Sequence, residues 1–284
     1  MNLFLLLLLG TIWGTSFLFI KIIVSEVPPM TLVAGRLGVA AVMMWTLVRV
    51  RKLKIKQRPH LGWTFAVVGL LNGALPYTLI SWGEQYIPSG WAALLQATTP
   101  LFTILLAHVI TDDDRITAQK LAGVVLGFGG VGILMWPEIR AGVRTSVLGM
   151  LAIVGSSLSY AYASIYARSR LSDQSPMIAA AGQFGMGFIY ILPLALAIES
   201  PWTLNPSTQA MLSWTALAVL GTVIAYTIYY ELLKRTNATF TTMVTYIVPI
   251  NGLLLGALVL NESLSPSLLL SLGLVLGGVL LVRQ

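Results

Sequence analysis

Gln96, Thr99 and Thr103 stand three and four residues apart in the stretch LLQATTPLFT, residues 94–103. That spacing puts them on one face of a helix. Pro100, in the same stretch, removes a backbone donor and crowds the preceding turn. The arrangement returns in TTMVTYIVPING, where Thr242, Thr245 and Tyr246 precede Pro249. Hydroxyl and amide groups of this kind break no bonds by themselves. They can hold a solute by hydrogen bonds, or they can answer the carbonyls that proline frees.

Other stretches carry similar groups. GSSLSYAYASIYAR sets Ser159, Tyr162, Ala163 and Tyr166 on one face, with Tyr160 to one side. GTVIAYTIYYELL aligns Thr222, Tyr226, Tyr229 and Tyr230. Asn72, Pro76, Tyr77 and Trp82 share a further segment, and Trp13 with Ser16 lies near the start. One reading is a water-filled cavity. Its substrate-binding candidates are Trp13, Ser16, Asn72, Tyr77, Gln96, Thr99, Ser159, Tyr162, Tyr166, Tyr226, Tyr230, Thr245 and Tyr246, with hinges at Pro100 and Pro249. The other reading is a set of kinked helices whose polar groups serve only their own backbone and one another.

The elements that must position these groups follow from composition. Of 284 residues, 57% are hydrophobic and only 10% charged, against about 25% charged in soluble domains. Apolar runs of roughly 20 residues recur, each long enough to span about 30 Å of hydrocarbon as a helix. The pattern lacks the two-residue alternation of a membrane barrel. Ten spans are expected, near 3–24, 30–48, 62–83, 90–110, 118–136, 147–167, 177–198, 210–231, 239–260 and 267–283. The first reads as a retained span, because it lacks a basic start and a small-residue cleavage site. Thirteen of the seventeen Lys and Arg residues, led by RVRKLKIKQR at 49–58, fall on one side of this arrangement. The positive-inside rule makes that side cytoplasmic, with both termini. The net charge of +7 is thereby a topology signal touching membrane lipid, and no nucleic acid is expected.

The chain also matches itself. At a shift of 147, PPMTLVAGRLG (28–38) lies on SPMIAAAGQFG (175–185), and Lys21 lies on Arg168. At 149, Tyr77-Thr78 meets Tyr226-Thr227 and Pro100 meets Pro249; at 150, Gly123 and Gly127 meet Gly273 and Gly277. Two halves are expected, residues 1–141 and 142–284. Each has five spans, an odd number, so the second must lie inverted in the membrane. Inverted repeats around a midplane site are a recurring plan of secondary transporters. The expected fold is thus an all-α polytopic membrane protein: ten transmembrane helices, as two inverted five-helix repeats around a central cavity.

Several classes are excluded or disfavoured. No cysteine is present, so disulfides and thiol chemistry are absent, and two histidines alone make a zinc site improbable. No phosphate-binding glycine loop occurs, so no ATP drive is expected. No cofactor is expected. Asp112 to Asp114 could be offered as a magnesium site for a membrane enzyme, but no second acidic cluster faces them, and a solvated turn fits better. No carboxylate falls at midplane to carry a proton. Arg36 is the deepest charge, near the outer edge, where its long stem could snorkel.

The order of WGTSFLFIK (13–21), Pro100, Pro249, NESLS (261–265) with Glu262, and the glycines Gly273 and Gly277 resembles the EamA-type repeat of the bacterial drug/metabolite transporter superfamily. The resemblance covers essentially the whole chain. It implies an inner-membrane metabolite carrier, with helices one, three, four, six, eight and nine around the cavity. Within the superfamily the chain is similar to amino-acid exporters. It departs from some aromatic amino-acid exporters in having Thr99 and Ser159 where they carry tryptophan. The expectation is a monomeric exporter of amino acids or similar amphipathic metabolites, uncoupled, in the bacterial inner membrane. Carriers of sugar-phosphate, nucleotide-sugar or lipid-linked substrates remain an alternative; these would need a basic residue in the cavity, and none is expected at midplane. A membrane-embedded enzyme and a non-transporting assembly factor are the alternatives of another class.

Overall fold

A computed structural model describes residues 1–111, 115–236 and 238–283. The acidic run Asp112 to Asp114 lies outside the described residues. In a bilayer a backbone amide finds no water, so apolar runs satisfy themselves as helices. Ten occur among the described residues: α1 Asn2–Val24, α2 Pro29–Val50, α3 Leu61–Gly83, α4 Ser89–Ile110, α5 Ala118–Ala141, α6 Arg144–Leu171, α7 Pro176–Glu199, α8 Thr208–Arg235, α9 Val244–Leu260 and α10 Pro266–Arg283. Boundaries follow the expected spans closely. The exceptions are α5, which continues through Pro137 until Gly142 (φ 70°) ends it, α6, which is longer at both ends, α8, which runs on to Arg235, and α9, which starts only at Val244, after a short helix Ala238–Thr241 and a turn at 242–243.

Packing repeats between the halves. α1 lies on α9 as α6 lies on α4; α3 lies on α6 and α7 as α8 lies on α1 and α2; α2–α7, α4–α9 and α5–α10 pair between the halves. Exchanging each helix for its counterpart five places along leaves this pattern unchanged. α5 and α10 form a peripheral pair with their backbones close together. A Cβ on Gly278 would lie 2.5 Å from the Gly123 carbonyl oxygen, and one on Gly123 would lie 2.6 Å from that of Gly278. Small residues at such crossings let helices approach where no hydrophobic force drives them together.

Two helices are interrupted where proline dictates. α4 breaks at Ala97 and Thr98. Pro100 has no N–H for the Gln96 carbonyl, which instead accepts from Thr99 Oγ1 at 2.9 Å and from Ser157 Oγ of α6 at 3.4 Å. α3 widens into a π turn at Leu70–Ala74, just before Pro76. The carbonyls Pro76 leaves open are taken by the other half: Ser159 Oγ donates to Leu71 at 2.7 Å, and Gln183 Nε2 to Asn72 at 3.0 Å. Gln183 Oε1 accepts from Asn72 Nδ2 at 2.7 Å in return. α8 has its own π turn, Val219–Ile224, at the same shift of 149.

One end of the bundle is tied by carboxylates that cross between halves. Pro28 and Pro88 precede α2 and α4 and offer no side-chain cap, so the first amides need partners from elsewhere. Glu199 accepts from the Met30 and Thr31 amides at 3.0 and 2.6 Å. Glu262, swung round by Asn261 at φ 55°, accepts from Ser89 and Gly90 at 2.7 and 2.9 Å. Glu26 accepts from the Ser207 amide at 2.6 Å, at the start of α8; the Ser207 bonds hold its carboxyl below the usual range. Anions at helix N-termini are favoured by the helix dipole.

Two outcomes are expected from this packing. Gly278→Leu should lower stability by about 1–3 kcal/mol through overpacking, read as a lower thermal midpoint in detergent. Gly132→Leu, where nothing lies within 4 Å, should leave the midpoint within a degree or two. Gln183→Leu should cost about 1–3 kcal/mol by orphaning Asn72, and an unchanged midpoint would contradict the bridge's role.

Candidate functional site

The crossings leave a cavity of about 800 Å³ between the halves, within the usual range for small-molecule sites. Its wall comes from eight helices, α1–α4 and α6–α9. It reaches Arg168, Ser172, Gln174, Pro176 and Leu233 at the end carrying the basic segment 49–58, and stops at Ile20, Arg36, Ile80 and Ala93 toward the other. Beyond that floor Val27, Leu32, Glu84, Ile87 and Ser89 are fully buried. The cavity is therefore open at the basic end and blind at the end tied by Glu26, Glu199 and Glu262.

The blind end carries its own charges. Lys21 Nζ donates to the carbonyls of Glu84 and Ile87 at 2.6 and 2.9 Å, placing a cation at the C-terminus of α3. The Glu84 carboxylate has no hydrogen-bond partner. Burial pushes its pKa above the usual carboxylate range, although nearby Lys21 pulls the other way.

Of the residues singled out from sequence, Trp13, Ser16, Asn72, Tyr77, Gln96, Thr99, Tyr226, Tyr230, Thr245 and Pro249 line this cavity. One wall is aromatic. Trp13 meets Tyr226 and Tyr229 at 5.9 and 5.7 Å between centroids, and Phe184 meets Tyr226 edge-on at 5.0 Å. The part of the wall on α4 is polar: Gln96 Nε2 donates to Thr99 Oγ1 at 3.0 Å, and Gln96 Oε1 accepts from Ser156 Oγ at 2.8 Å.

The remaining candidates lie elsewhere. Tyr162 is 42% exposed on the outer face of α6. Tyr166 borders a separate shallow pocket with Arg58, His60 and Trp63. Ser159 is occupied with the Leu71 carbonyl. Tyr246 packs near Leu101 and Val279, with its hydroxyl 3.3 Å from the Val279 carbonyl. α6 turns Tyr160, Ser164, Ala167 and Arg168 inward instead, because its sequence carries hydroxyls and rings on every face and only packing selects one. Pro100 follows the break in α4, whereas Pro249 sits inside an uninterrupted helix.

Arg36 departs from expectation in a way that matters. It does not snorkel outward. Its side chain is buried at 6% exposure and lines the cavity floor. Its guanidinium lies 4.1 Å from the Tyr77 ring centroid, and Nε donates to Thr222 Oγ1 at 2.9 Å. The objection that no basic residue lies in the cavity is thus overturned. α2 and α7 join the six helices the resemblance implied, through Arg36 and Gln183. A signal was available: the 147-residue shift lays Arg36 directly on Gln183. Tyr160 and Tyr229 were likewise not among the candidates.

Comparison with known proteins agrees with this architecture. The EamA-like transporter family matches the chain twice, over residues 1–136 and 147–284. The chain is 30% identical over 275 residues to the uncharacterized inner membrane transporter YedA of Escherichia coli K12, covering 95% of this chain and 87% of that one. It is 26% identical over 283 residues to a probable amino-acid metabolite efflux pump of the same organism, covering 96% and 91%. A crystal structure at 17% identity superposes with a TM-score of 0.69 over 99% of this chain and 96% of the other, a likeness of fold. The chain belongs to the EamA-like transporter family.

Proposed function

We propose that this transporter is a secondary carrier that exports amino acids or similar small amphipathic metabolites by alternating access. The observation that carries the reading is the blind cavity between the halves, aromatic on one part of its wall and hydrogen-bonding on another. A solute with an apolar body and polar handles meets both parts at once. Trp13, Tyr77, Tyr226 and Tyr230 serve the body, while Asn72, Gln96, Thr99 and Thr245 serve the handles. The moving units are residues 1–141 and 142–284, with Pro100 and Pro249 easing their rocking. The basic end faces the cytoplasm, as the positive-inside rule requires, so the cavity loads from inside. The protein acts as a monomer in the inner membrane, without ATP or catalysis, and moves solute down its gradient.

Release requires opening the other end, where the carboxylate caps must part. A cap is worth about 1 kcal/mol, roughly a fivefold shift between two states. The chain has no cysteine, so a single probe can report this. With cysteine placed at Ile80, Glu262→Ala should raise labelling by an impermeant maleimide from the capped end about fivefold; unchanged labelling would remove Glu262 from the gate.

The transport reading is checked in proteoliposomes loaded with a panel of neutral amino acids. Efflux should exceed that of empty liposomes for some members, and rates indistinguishable from empty liposomes across the panel would sink it. Tyr226→Ala and Gln96→Ala should each cut flux tenfold or more at normal expression. Collapsing a pH gradient should leave the rate unchanged.

A further inference from the structure

A guanidinium does not lose its proton inside a protein, so a buried arginine calls for a counter-charge. Arg36 has none. Among the described residues the ion pairs are Arg58–Asp173 and Arg235–Glu231, and no Asp or Glu lines the cavity. Only Nε of Arg36 is bonded, to Thr222. Its two terminal nitrogens take no hydrogen-bond partner among the described residues, and the guanidinium, lying over Tyr77, borders the cavity.

The repeat separates what the fold needs from what is added. Gln183 is the counterpart of Arg36 in the other half. Each reaches across the centre to a π turn of the opposite half, Gln183 to Asn72 in α3 and Arg36 to Thr222 in α8. Each also lies beside a counterpart tyrosine, Gln183 near Tyr226 and Arg36 on Tyr77. The structural task is thus performed by a neutral amide in one half. Gln183 spends both ends of its amide on Asn72. Arg36 makes the bridge with one nitrogen and keeps a charged fork for something else.

We propose that Arg36 anchors the carboxylate of the transported solute, and that the solute's amino group is dispensable. This rests on the cavity being the transport site. The two free terminal nitrogens match the bidentate geometry of a carboxylate. The apolar body would then lie toward Trp13, Tyr226 and Tyr229. Arg168 at the mouth gives an entering anion a second positive charge along its path. A phosphate dianion is the poorer fit, because the floor supplies a single cation. No acid is present to pair with an ammonium. The substrate class is small monocarboxylates with an apolar side, whether or not they carry an amine.

The test uses three probes with one body: L-phenylalanine, N-acetyl-L-phenylalanine and L-phenylalaninamide, with the leucine set in parallel. Each competes against efflux of labelled L-phenylalanine or L-leucine from proteoliposomes of the wild-type protein. The two acids should compete similarly, and the amide at least tenfold more weakly. Arg36→Gln should reduce acid flux tenfold or more, and Arg36→Lys should fall between; size-exclusion profile and thermal midpoint check their folding, and Gln183 is the precedent for glutamine at this place. The wild-type competition stands even if the variants fail to fold. If the amide competes as well as the acids, or Arg36→Gln carries acid at the wild-type rate, Arg36 is only a clamp for the α8 π turn and the inference falls while the transport reading stands. Competition by glycerol 3-phosphate but not by the N-acetyl acids would replace the carboxylate with phosphate. If the N-acetyl acids fail while the free amino acids compete, the dispensable amine is wrong. If no amino acid crosses at all, the transport reading fails and takes this inference with it.

Discussion

A carbonyl freed by proline inside a bilayer must find a donor, and water is not available there. The centre of this molecule is built around that demand. Pro76 and Pro100 open carbonyls on α3 and α4, and the donors that answer them come largely from elsewhere: Ser159 and Gln183 for Leu71 and Asn72, Ser157 and the local Thr99 for Gln96. All but the Thr99 bond hold a helix of one half against a helix of the other. The same π and broken turns lie along the cavity, with Asn72, Gln96 and Ala97 in its wall. Polar groups that a soluble protein would spread over its surface are gathered here because only the interior can use them.

The two ends of the bundle solve a different problem. Helices that begin after proline have no cap of their own, and carboxylates from the opposite half supply it at α2 and α4. Such bonds are individually weak and reversible, unlike a packed apolar seam. The caps sit over an apolar plug that includes Val27, Leu32 and Ile87, so opening this end must part both. At the basic end the two halves are joined beside the mouth, by Arg58 with Asp173 and by the Gln174 amide with the Lys56 backbone. Ties of this kind at both ends suit a molecule whose halves exchange which end is closed.

Duplication gives the halves equivalent backbones, and selection on side chains then makes them unequal. The π turns of α3 and α8, the tyrosines Tyr77 and Tyr226, and the bridges from α2 and α7 all correspond. Only the bridge residue differs in charge, glutamine on one side and arginine on the other. The geometry of the two halves is thus symmetric at the centre while its chemistry is not.

Much of this was legible in the chain itself. Span number, the repeat, its register and the polar prolines all followed from the length of apolar runs and from identities at a fixed shift, because hydrocarbon thickness and backbone satisfaction leave few alternatives. Which face of each helix turns inward was not. Tyr162 and Tyr160 differ by two residues on a helix with rings all round, and only contact with α3 and α4 turns one to lipid and the other to the cavity. Arg36 shows the same limit more sharply: a long side chain near a membrane edge can reach either water or an interior partner, and the choice was made by Thr222 and Tyr77, which lie 186 and 41 positions away in sequence but within touching distance in the fold. Sequence sets what each span can satisfy alone; which unsatisfied groups meet is decided by tertiary packing, since partners so distant along the chain have no local signal.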